Sequence, residues 1–228
     1  MSEHIIEAKN LTKYYADGKV NAINGVDLSV KRSEFLVIHG PSGCGKSTLL
    51  YLLSGLTLPT SGQVSFEGKP LKQALAQPGF RAKNVGFVFQ LFYLWPALNV
   101  LDNILLPLFD TKIDRRVLGE RAISLLKLVG LSDKTNASVR TLSVGQRQRV
   151  AIARALIAEP KVIFADEPTG SLDSHTADGV LELFRRIHAE QAVTVLMVTH
   201  QHTVDKFCDR VLEMKDGKII DAGSIIKN

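Results

Sequence analysis

The chain has 228 residues, of which 45% are apolar and 22% are charged. This composition is ordinary for a folded globular protein. It excludes a disordered chain, a collagen-like chain and a mini-protein that depends on disulfides or a structural metal ion. The net charge is +5, from 28 Lys and Arg against 23 Asp and Glu, and the basic residues form no block that would predict a nucleic-acid tail.

The N-terminal region predicts strands. Residues 1–10 have neither a basic leader nor an apolar core, so we expect no signal peptide. Short strands are predicted at Ile5 to Ala8 and at Val26 to Val30, with a turn at residues 16–18. The run from Phe35 to Ile38 is typical of a buried strand in a parallel sheet. It stops at Gly40, and a helix is predicted from about Lys46.

The rest of the chain alternates strands with helices. Residues from about 92 to 158 are predicted to be mainly helical, which indicates an insertion. Strand signals precede and follow this region at Val64 to Gly68, Val85 to Phe89, Val162 to Ala165, Val193 to Thr199, Val211 to Met214 and Lys218 to Ile220, the last two forming a hairpin. Alternation of this kind predicts an α/β core.

Residues 91–109 imitate a membrane span, because 19 consecutive positions are mostly apolar. The stretch also contains Pro96, Asn99, Asp102, Asn103 and Pro107, which an isolated span tolerates poorly. We therefore predict a non-spanning segment with an unusually apolar surface. The two cysteines, Cys44 and Cys208, exclude a disulfide framework and fit a reducing cytosol.

A phosphate-binding loop is the first chemical motif. The G-x4-G-K-S pattern, after a buried strand and before a helix, runs through Gly40, Pro41, Ser42, Gly43, Cys44, Gly45, Lys46 and Ser47. Glycines let backbone N–H groups turn towards phosphates, and the helix N-terminus adds partial positive charge. Lys46 can contact the outer phosphates and Ser47 can hold Mg²⁺. The alternative is an ordinary glycine turn that enters a helix.

Polar residues follow three other predicted strands. Asp166 and Glu167 end one of them, where an acid can support a metal ion and a second acid can polarise an attacking water. Gln90 and His200 end two more strands, although a surface histidine is common at such a position. His200-x-His202 could suggest a metal site, but we expect no third ligand nearby.

The segment at residues 142–150, LSVGQRQRV, resembles the signature of ATP-binding-cassette (ABC) ATPases. The physical interpretation is a capping box, in which Ser143 and Gln146 open a helix whose N-terminus attracts an anion; the bland alternative is an ordinary helix cap. The resemblance implies an α/β fold with a P-loop NTPase core, a mostly parallel sheet, an N-terminal antiparallel β subdomain and an α-helical subdomain inserted at about 92–158. It covers residues 4–225 as a single domain.

The resemblance also implies residue roles and cofactors. ATP and Mg²⁺ are the implied cofactors, and the signature residues Ser143, Gly145 and Gln146 act on the nucleotide of a second copy. Glu167 is the implied catalytic base and His200 the switch histidine. The remaining implied contacts are Tyr15 on adenine (with Tyr14 as the alternative), Gly40 to Thr48 on the phosphates, Ser47, Gln90 and Asp166 at the metal, and Asp173 in the loop that crosses the dimer.

One residue departs from the family pattern. Val144 replaces the usual first glycine of the signature, and valine adopts positive φ only with strain. If a close approach is needed there, catalysis slows; if glycine is only helpful, little changes.

Residues 166–174 and 103–108 resemble the lipoprotein-releasing and macrolide-exporter branch. The implied partner is a separate membrane permease at the cytoplasmic face of the inner membrane, with no nucleic acid. Alternatives are a soluble cassette that acts on ribosomes or DNA, and a cassette that regulates a cell-envelope or division machine. We expect the apolar residues Phe92 to Leu98 to receive a short helix of the permease; the alternative is that they pack internally.

Overall fold

The computed structural model describes residues 3–17 and 19–221, and the predicted turn residue Gly18 lies outside them. The strands are β1 (His4–Tyr15), β2 (Val20–Lys31), β3 (Phe35–His39), β4 (Ser61–Phe66), β5 (Lys69–Pro70), β6 (Val85–Phe89), β7 (Val162–Asp166), β8 (Thr194–Val198), β9 (Arg210–Lys215) and β10 (Lys218–Asp221). The helices are α1 (Lys46–Leu53), α2 (Leu71–Leu75), α3 (Phe80–Asn84), α4 (Val100–Leu105), α5 (Arg115–Leu128), α6 (Val144–Leu156) and α7 (Ser174–Gln191).

The chain divides into two compact units. The first ends at Phe80 and resumes at Ile187, and the second runs from Arg81 to Arg186. In the first unit, β1 and β2 form a long antiparallel hairpin, and β4 and β5 extend this sheet in the order β2-β1-β4-β5. The strands are much longer than the predicted cores at 5–8 and 26–30, because bulges carry the pairing on to Tyr15 and Val20.

A second set of strands in the first unit is parallel. β3 pairs with β8 on one side and β9 on the other, and β10 returns antiparallel to β9. Every residue of β3 and β8 is buried, which is typical of strands in a parallel sheet. The predicted C-terminal hairpin is confirmed.

The second unit combines two strands with helices. β6 and β7 pair in parallel with Phe89 opposite Asp166, and α6 packs against β6. Helices α4 and α5 contact each other and α6 around a core that contains Ile104, Leu126 and Val150. The helical prediction from about residue 92 began too early, since the first helix after β6 starts at Val100.

The apolar stretch at 91–109 is irregular up to Asn99, then forms α4 and a 3₁₀ turn at Leu106–Leu108. Its one buried polar residue, Asn103, bonds both the N–H and the C=O of Trp95. Asn99 caps α4 by accepting from the backbone N–H of Asp102. No helix among residues 3–17 and 19–221 is long and apolar enough to cross a membrane.

Candidate functional site

The predicted phosphate loop lies between β3 and α1 in the first unit. Gly45 stands at the N-cap of α1 with φ +106°, and a Cβ there would collide with the carbonyl oxygen of Ala22. Only glycine fits that position without strain. No side chain caps α1, and the N-terminus of a helix attracts anions through its backbone N–H groups and its dipole.

Lys46 is only 6% exposed, and its side chain turns back over the loop. Its Nζ donates to the carbonyl oxygens of Gly40 at 2.8 Å and Pro41 at 3.0 Å. The ammonium has three N–H donors, so these two bonds fix its position and leave one donor for a ligand. Cys44, within the loop, is buried and is a free thiol.

His200 lies at the same end of the parallel strands as the loop. Ile38 of β3 pairs with Val198 of β8, and the backbone N–H of Thr199 donates to the carbonyl of Ile38 at 3.1 Å. The His200 side chain is exposed. Within the first unit, the structure therefore brings His200 and the start of the phosphate loop to one edge of the sheet, as predicted.

Tyr14 and Tyr15 are both exposed near the end of β1. Lys13 lies over the ring of Tyr15, with its Nζ 5.0 Å from the ring centroid. The stacking of Tyr15 on adenine stays a prediction.

In the second unit, Gln90, Asp166 and Glu167 meet at the ends of two paired strands. Phe89 stands opposite Asp166, so the residues that follow, Gln90 and Glu167, leave the same sheet edge. Gly170 leaves room for the glutamine, since a Cβ on it would lie 3.0 Å from Gln90 Nε2. Asp166 is buried and Glu167 half-buried.

Glu167 holds an uncommon backbone conformation. Its φ is +48°, and it precedes Pro168, which restricts it further. The buried amide of Gln148 stabilises this turn by donating from Nε2 to the Pro168 carbonyl at 2.7 Å. Strain of about 1–3 kcal/mol at a non-glycine residue is typical of a functional position. Gln148, in the signature helix, was not predicted as a site residue.

The signature residues open α6 as predicted. Ser143 Oγ accepts from the backbone N–H of Gln146 at 3.2 Å, and Gln146 Oε1 accepts from the N–H of Ser143 at 3.0 Å, which completes the capping box. A Cβ on Gly145 would collide with the methyl group of Thr176, so glycine is required for the start of α7 to lie against α6.

Asp173 stands beside this junction and accepts two bonds from Thr176, one from its backbone N–H at 3.0 Å and one from its hydroxyl at 2.7 Å. These bonds, led by the one from the hydroxyl, hold the pKa of the Asp173 carboxyl below its usual range. Asp173 therefore stays ionised in an exposed position next to the signature. The structure brings Ser143, Gly145, Gln146 and Asp173 into one neighbourhood.

Two arginines of α6 hold the segment after Gln90. Phe92 and Tyr93 both have φ +47°. The Arg154 guanidinium donates to their carbonyl oxygens, each at 2.5 Å, and the Arg147 guanidinium lies 5.6 Å from the centroid of the Phe92 ring. Burial lowers the pKa of Arg154 from its ordinary value. Sequence reasoning missed both arginines, because their partners lie about 60 positions away.

The family model described as ABC transporter matches residues 23–170. The chain belongs to the ABC transporter ATPase family.

Curated relatives match almost the whole chain. An uncharacterized ABC transporter ATP-binding protein, MJ1508 of Methanocaldococcus jannaschii, is 42% identical over 221 residues, which are 95% of this chain and 98% of the relative. The lipoprotein-releasing system ATP-binding protein LolD of Aquifex aeolicus is 42% identical over 218 residues, which are 95% of this chain and 96% of the relative.

Solved structures share the fold. A dimeric structure of the ATP-binding cassette MJ0796, bound to ADP and Pi in a post-hydrolysis state, has a TM-score of 0.88 and 36% identity, and covers 98% of this chain and 100% of the other. CbiO1 from Clostridium perfringens, part of a CbiONQ transporter complex, has a TM-score of 0.88 and 31% identity, and covers 98% and 89%. The predicted ABC cassette fold is confirmed.

Membership of this family implies nucleotide binding and ATP hydrolysis, together with association with a membrane permease and with a second cassette.

Val144, the departure in the signature, is the first residue of α6, has negative φ and is 38% exposed. Valine therefore occupies this position without the strain of a positive φ. The valine side chain is exposed at the N-terminal end of α6, beside the other signature residues.

The apolar segment after Gln90 is partly exposed and partly packed. Leu91, Tyr93 and Trp95 are 67%, 59% and 60% exposed, whereas Phe92 and Leu94 are half-buried. Beyond it lies a groove of about 430 Å³ in the second unit, lined by Trp95, Leu98, Asp102, Leu105, Leu106, Leu108, Phe109, Thr111, Ile113, Arg115 and Leu118. Phe109 is 81% exposed at this groove. The segment is therefore packed at Phe92 and Leu94 and exposed at the other three side chains, and its docking to a permease stays a prediction.

Proposed function

We propose that the chain is the ATP-hydrolysing subunit of an exporter or lipoprotein-release transporter, and that it drives a separate membrane permease. The observation that carries this proposal is that the chain contains two helix N-termini that attract anions. One is the uncapped start of α1 behind a glycine loop, and the other is the start of α6 at Ser143. The 42% identity to LolD supports the branch.

The polar residues suit ATP and Mg²⁺. Ser47, Gln90 and Asp166 carry hydroxyl, amide and carboxylate oxygens, which are the ligands that Mg²⁺ prefers. Lys46 would contact the outer phosphates, and Tyr15 would stack on adenine. When bound, the metal ion neutralises charge that develops on the phosphates.

Glu167 is the proposed catalytic base. Its αL backbone and the bond from Gln148 to the Pro168 carbonyl fix where the chain leaves β7. Gln90 leaves the neighbouring strand at the same edge, so its amide can orient a water for the Glu167 carboxylate. His200 would contact the terminal phosphate.

Each nucleotide is proposed to lie between the phosphate loop of one subunit and Ser143 of the other. The capping box uses the Ser143 side chain to satisfy one N–H of α6, while the outward helix end and the exposed Asp173 remain at the surface. An exposed signature needs a second copy to complete the site. The dimeric ADP-bound cassette MJ0796 supports this arrangement.

The experiment compares Glu167→Gln with the unchanged protein. We expect the variant to bind ATP normally, lose about 10²-fold or more in turnover, and accumulate as an ATP-bound dimer in light scattering. Asp178→Asn is a matched control, because it neutralises an exposed carboxylate elsewhere in the second unit. Normal hydrolysis by Glu167→Gln would remove this residue from the role of base.

The groove at Trp95 and Phe109 is the proposed docking surface, and its occupant is a short cytoplasmic helix of the permease. Large exposed apolar and aromatic side chains rim a concave surface here, which is typical of a helix-binding groove. Asp102 and Arg115 at its wall offer one charge of each sign to orient the helix.

Signals from the groove can reach the signature through α6. Trp95 is held by Asn103, and the backbone just before it is held by Arg154 of α6. Because Ser143 caps the N-terminus of α6, a shift of the docked segment is transmitted to the signature along one helix. This contact chain is the proposed basis of coupling.

The docking test replaces Trp95 and Phe109 together by Ser. Both are more than half exposed, so the variant should fold and bind ATP, but it should no longer co-purify with membranes that contain the permease. Val20→Ser and Leu58→Ser, two exposed positions in the first unit, form the control pair. Membrane retention with full transport would contradict the docking assignment. Phe92 is unsuitable for this test, because its ring packs under Arg147.

A further inference from the structure

Three potential metal ligands meet in the first unit at the end of β3. The ligand atoms of His39, His202 and Asp205 all lie within 4.8 Å of one another. His39 Nε2 is 2.6 Å from Asp205 Oδ1, and His202 Nδ1 is 3.7 Å from Asp205 Oδ2. None of the three belongs to the predicted nucleotide site. The sequence suggested His200 and His202 as a pair without a third ligand, whereas the structure groups His202 with His39 and Asp205.

His39 is the unexpected member of this cluster. The other residues of β3, from Phe35 to Ile38, are apolar and fully buried, and His39 is itself only 1% exposed. The phosphate-loop motif begins one residue later, at Gly40, and places no demand on position 39. A buried imidazole is costly unless both of its nitrogens are satisfied.

Both nitrogens of the His39 ring face acceptors. Nδ1 lies 3.3 Å from the backbone carbonyl oxygen of Thr199, which can only accept, and Nε2 faces the Asp205 carboxylate. A neutral imidazole has one N–H and one lone pair, so it cannot satisfy both contacts. Either a second proton or a metal ion at Nε2 resolves this. An Nδ1–H bond to a backbone carbonyl is the usual outer contact of a metal-bound histidine.

His188 provides a comparison within the same unit. Its Nδ1 lies 3.0 Å from the carbonyl of Val193 and its Nε2 lies 3.2 Å from Asp209 Oδ2, and its ring packs on Phe35. One histidine and one carboxylate thus meet there without a second imidazole. At His39 the packed ring is that of a second imidazole, His202, with the two centroids 4.4 Å apart.

The second imidazole supplies a further nitrogen ligand beside the first. Two imidazoles and one carboxylate are a preferred ligand set for Zn²⁺. His202 is exposed and Asp205 half-buried, so an ion has a path from solvent and a free side for water.

We propose that His39, His202 and Asp205 bind one divalent transition-metal ion of the zinc class. In tetrahedral coordination the ligand atoms stand about 3.3 Å apart, so the Asp205 carboxylate must draw back from its 2.6 Å contact with His39 Nε2 and the exposed His202 side chain must rotate to complete the site. Asp205 and His202 lie on the 3₁₀ turn His202–Phe207, which follows His200. The ion ties this turn to the end of β3, next to the phosphate loop, and thereby fixes the segment that carries His200.

The test uses the full chain, stripped of metals and free of nucleotide, titrated with Co²⁺ and then with Zn²⁺. We expect one equivalent of Co²⁺ to bind with the visible absorption of a tetrahedral nitrogen and oxygen site. Zn²⁺ should displace it, excess Mg²⁺ should not, and Zn²⁺ should raise the melting temperature. His202→Ala and Asp205→Asn should each weaken binding at least about tenfold.

His188→Gln is the matched control and should bind as the unchanged protein does. Because His202 is exposed, His202→Ala should keep the metal-free melting temperature and lose the rise caused by Zn²⁺. The proposal is overturned if no stoichiometric binding occurs, if binding survives both variants, or if Co²⁺ gives a thiolate charge-transfer band, which would point to Cys44 or Cys208. The test does not depend on ATP hydrolysis.

Discussion

The segments that follow β3 and β6 both hold unusual backbone conformations, but different kinds of residue stabilise them. Each leaves a buried strand at a sheet edge and adopts backbone conformations that most residues avoid. After β3 the chain uses glycine at Gly40, Gly43 and Gly45, and its own lysine bonds the loop carbonyls. After β6 the strained residues are Phe92 and Tyr93, which are held by an arginine about 60 residues later in the chain.

The comparison shows where conformational strain is compensated. In the phosphate loop the unusual conformations fall on glycines and Lys46 bonds two carbonyls of its own loop, so most of the conformation is encoded within the loop. One bond from the backbone N–H of Gly217 to the Cys44 carbonyl, at 3.0 Å, ties the loop to the rest of its unit. In the segment after Gln90 the conformation depends on α6, so it changes when α6 moves. The first arrangement suits a fixed binding element and the second suits an element that transmits motion.

Arg154→Leu should have the largest effect on this comparison. It removes two charge-assisted bonds and leaves the Phe92 and Tyr93 carbonyls without them, which should cost about 3 kcal/mol of unfolding free energy. Urea denaturation measures this loss. Arg185→Leu, an exposed arginine on α7, is the control and should change stability by less than about 0.5 kcal/mol. If Arg154→Leu is as stable as the unchanged protein, the segment after Gln90 does not need Arg154 for its conformation.

Lys46→Ala should reduce ATP affinity rather than stability. Its two bonds lie within its own loop, so stability should change little while ATP affinity falls by at least about tenfold, because a charge at the phosphates is lost. Nucleotide titration and urea denaturation of one preparation separate the two effects. A variant that unfolds while its residual folded fraction binds ATP normally would contradict the local interpretation.

The features that could be predicted from the sequence are those whose residues lie close together in the chain. The phosphate loop, the acids after β7 and the capped start of α6 were found because motif, strand and helix are contiguous in the chain. The clamp by Arg154, the bond from Gln148 to Pro168 and the contact of His39 with Asp205 could not be found, because each joins residues 20 to 166 positions apart. The helical start near residue 92 was wrong, because buried Asn103 satisfies irregular backbone there.

Val144→Gly should have the smallest effect. Val144 is an exposed first residue of α6, so glycine should cost no more than about 1 kcal/mol of stability. ATPase activity should stay equal or rise, since a bulky group leaves the surface proposed to face the nucleotide of the second subunit. A large loss of activity in this variant would show that the valine contributes to catalysis.

Steady-state ATPase activity measured over a wide dilution series tests the central claim most directly. If each nucleotide lies between the loop at Lys46 in one subunit and Ser143 in the other, turnover per subunit must fall as the protein is diluted below its dimerisation range. It must recover when the same sample is concentrated. Turnover per subunit that stays constant down to concentrations at which light scattering detects only single chains would contradict the account.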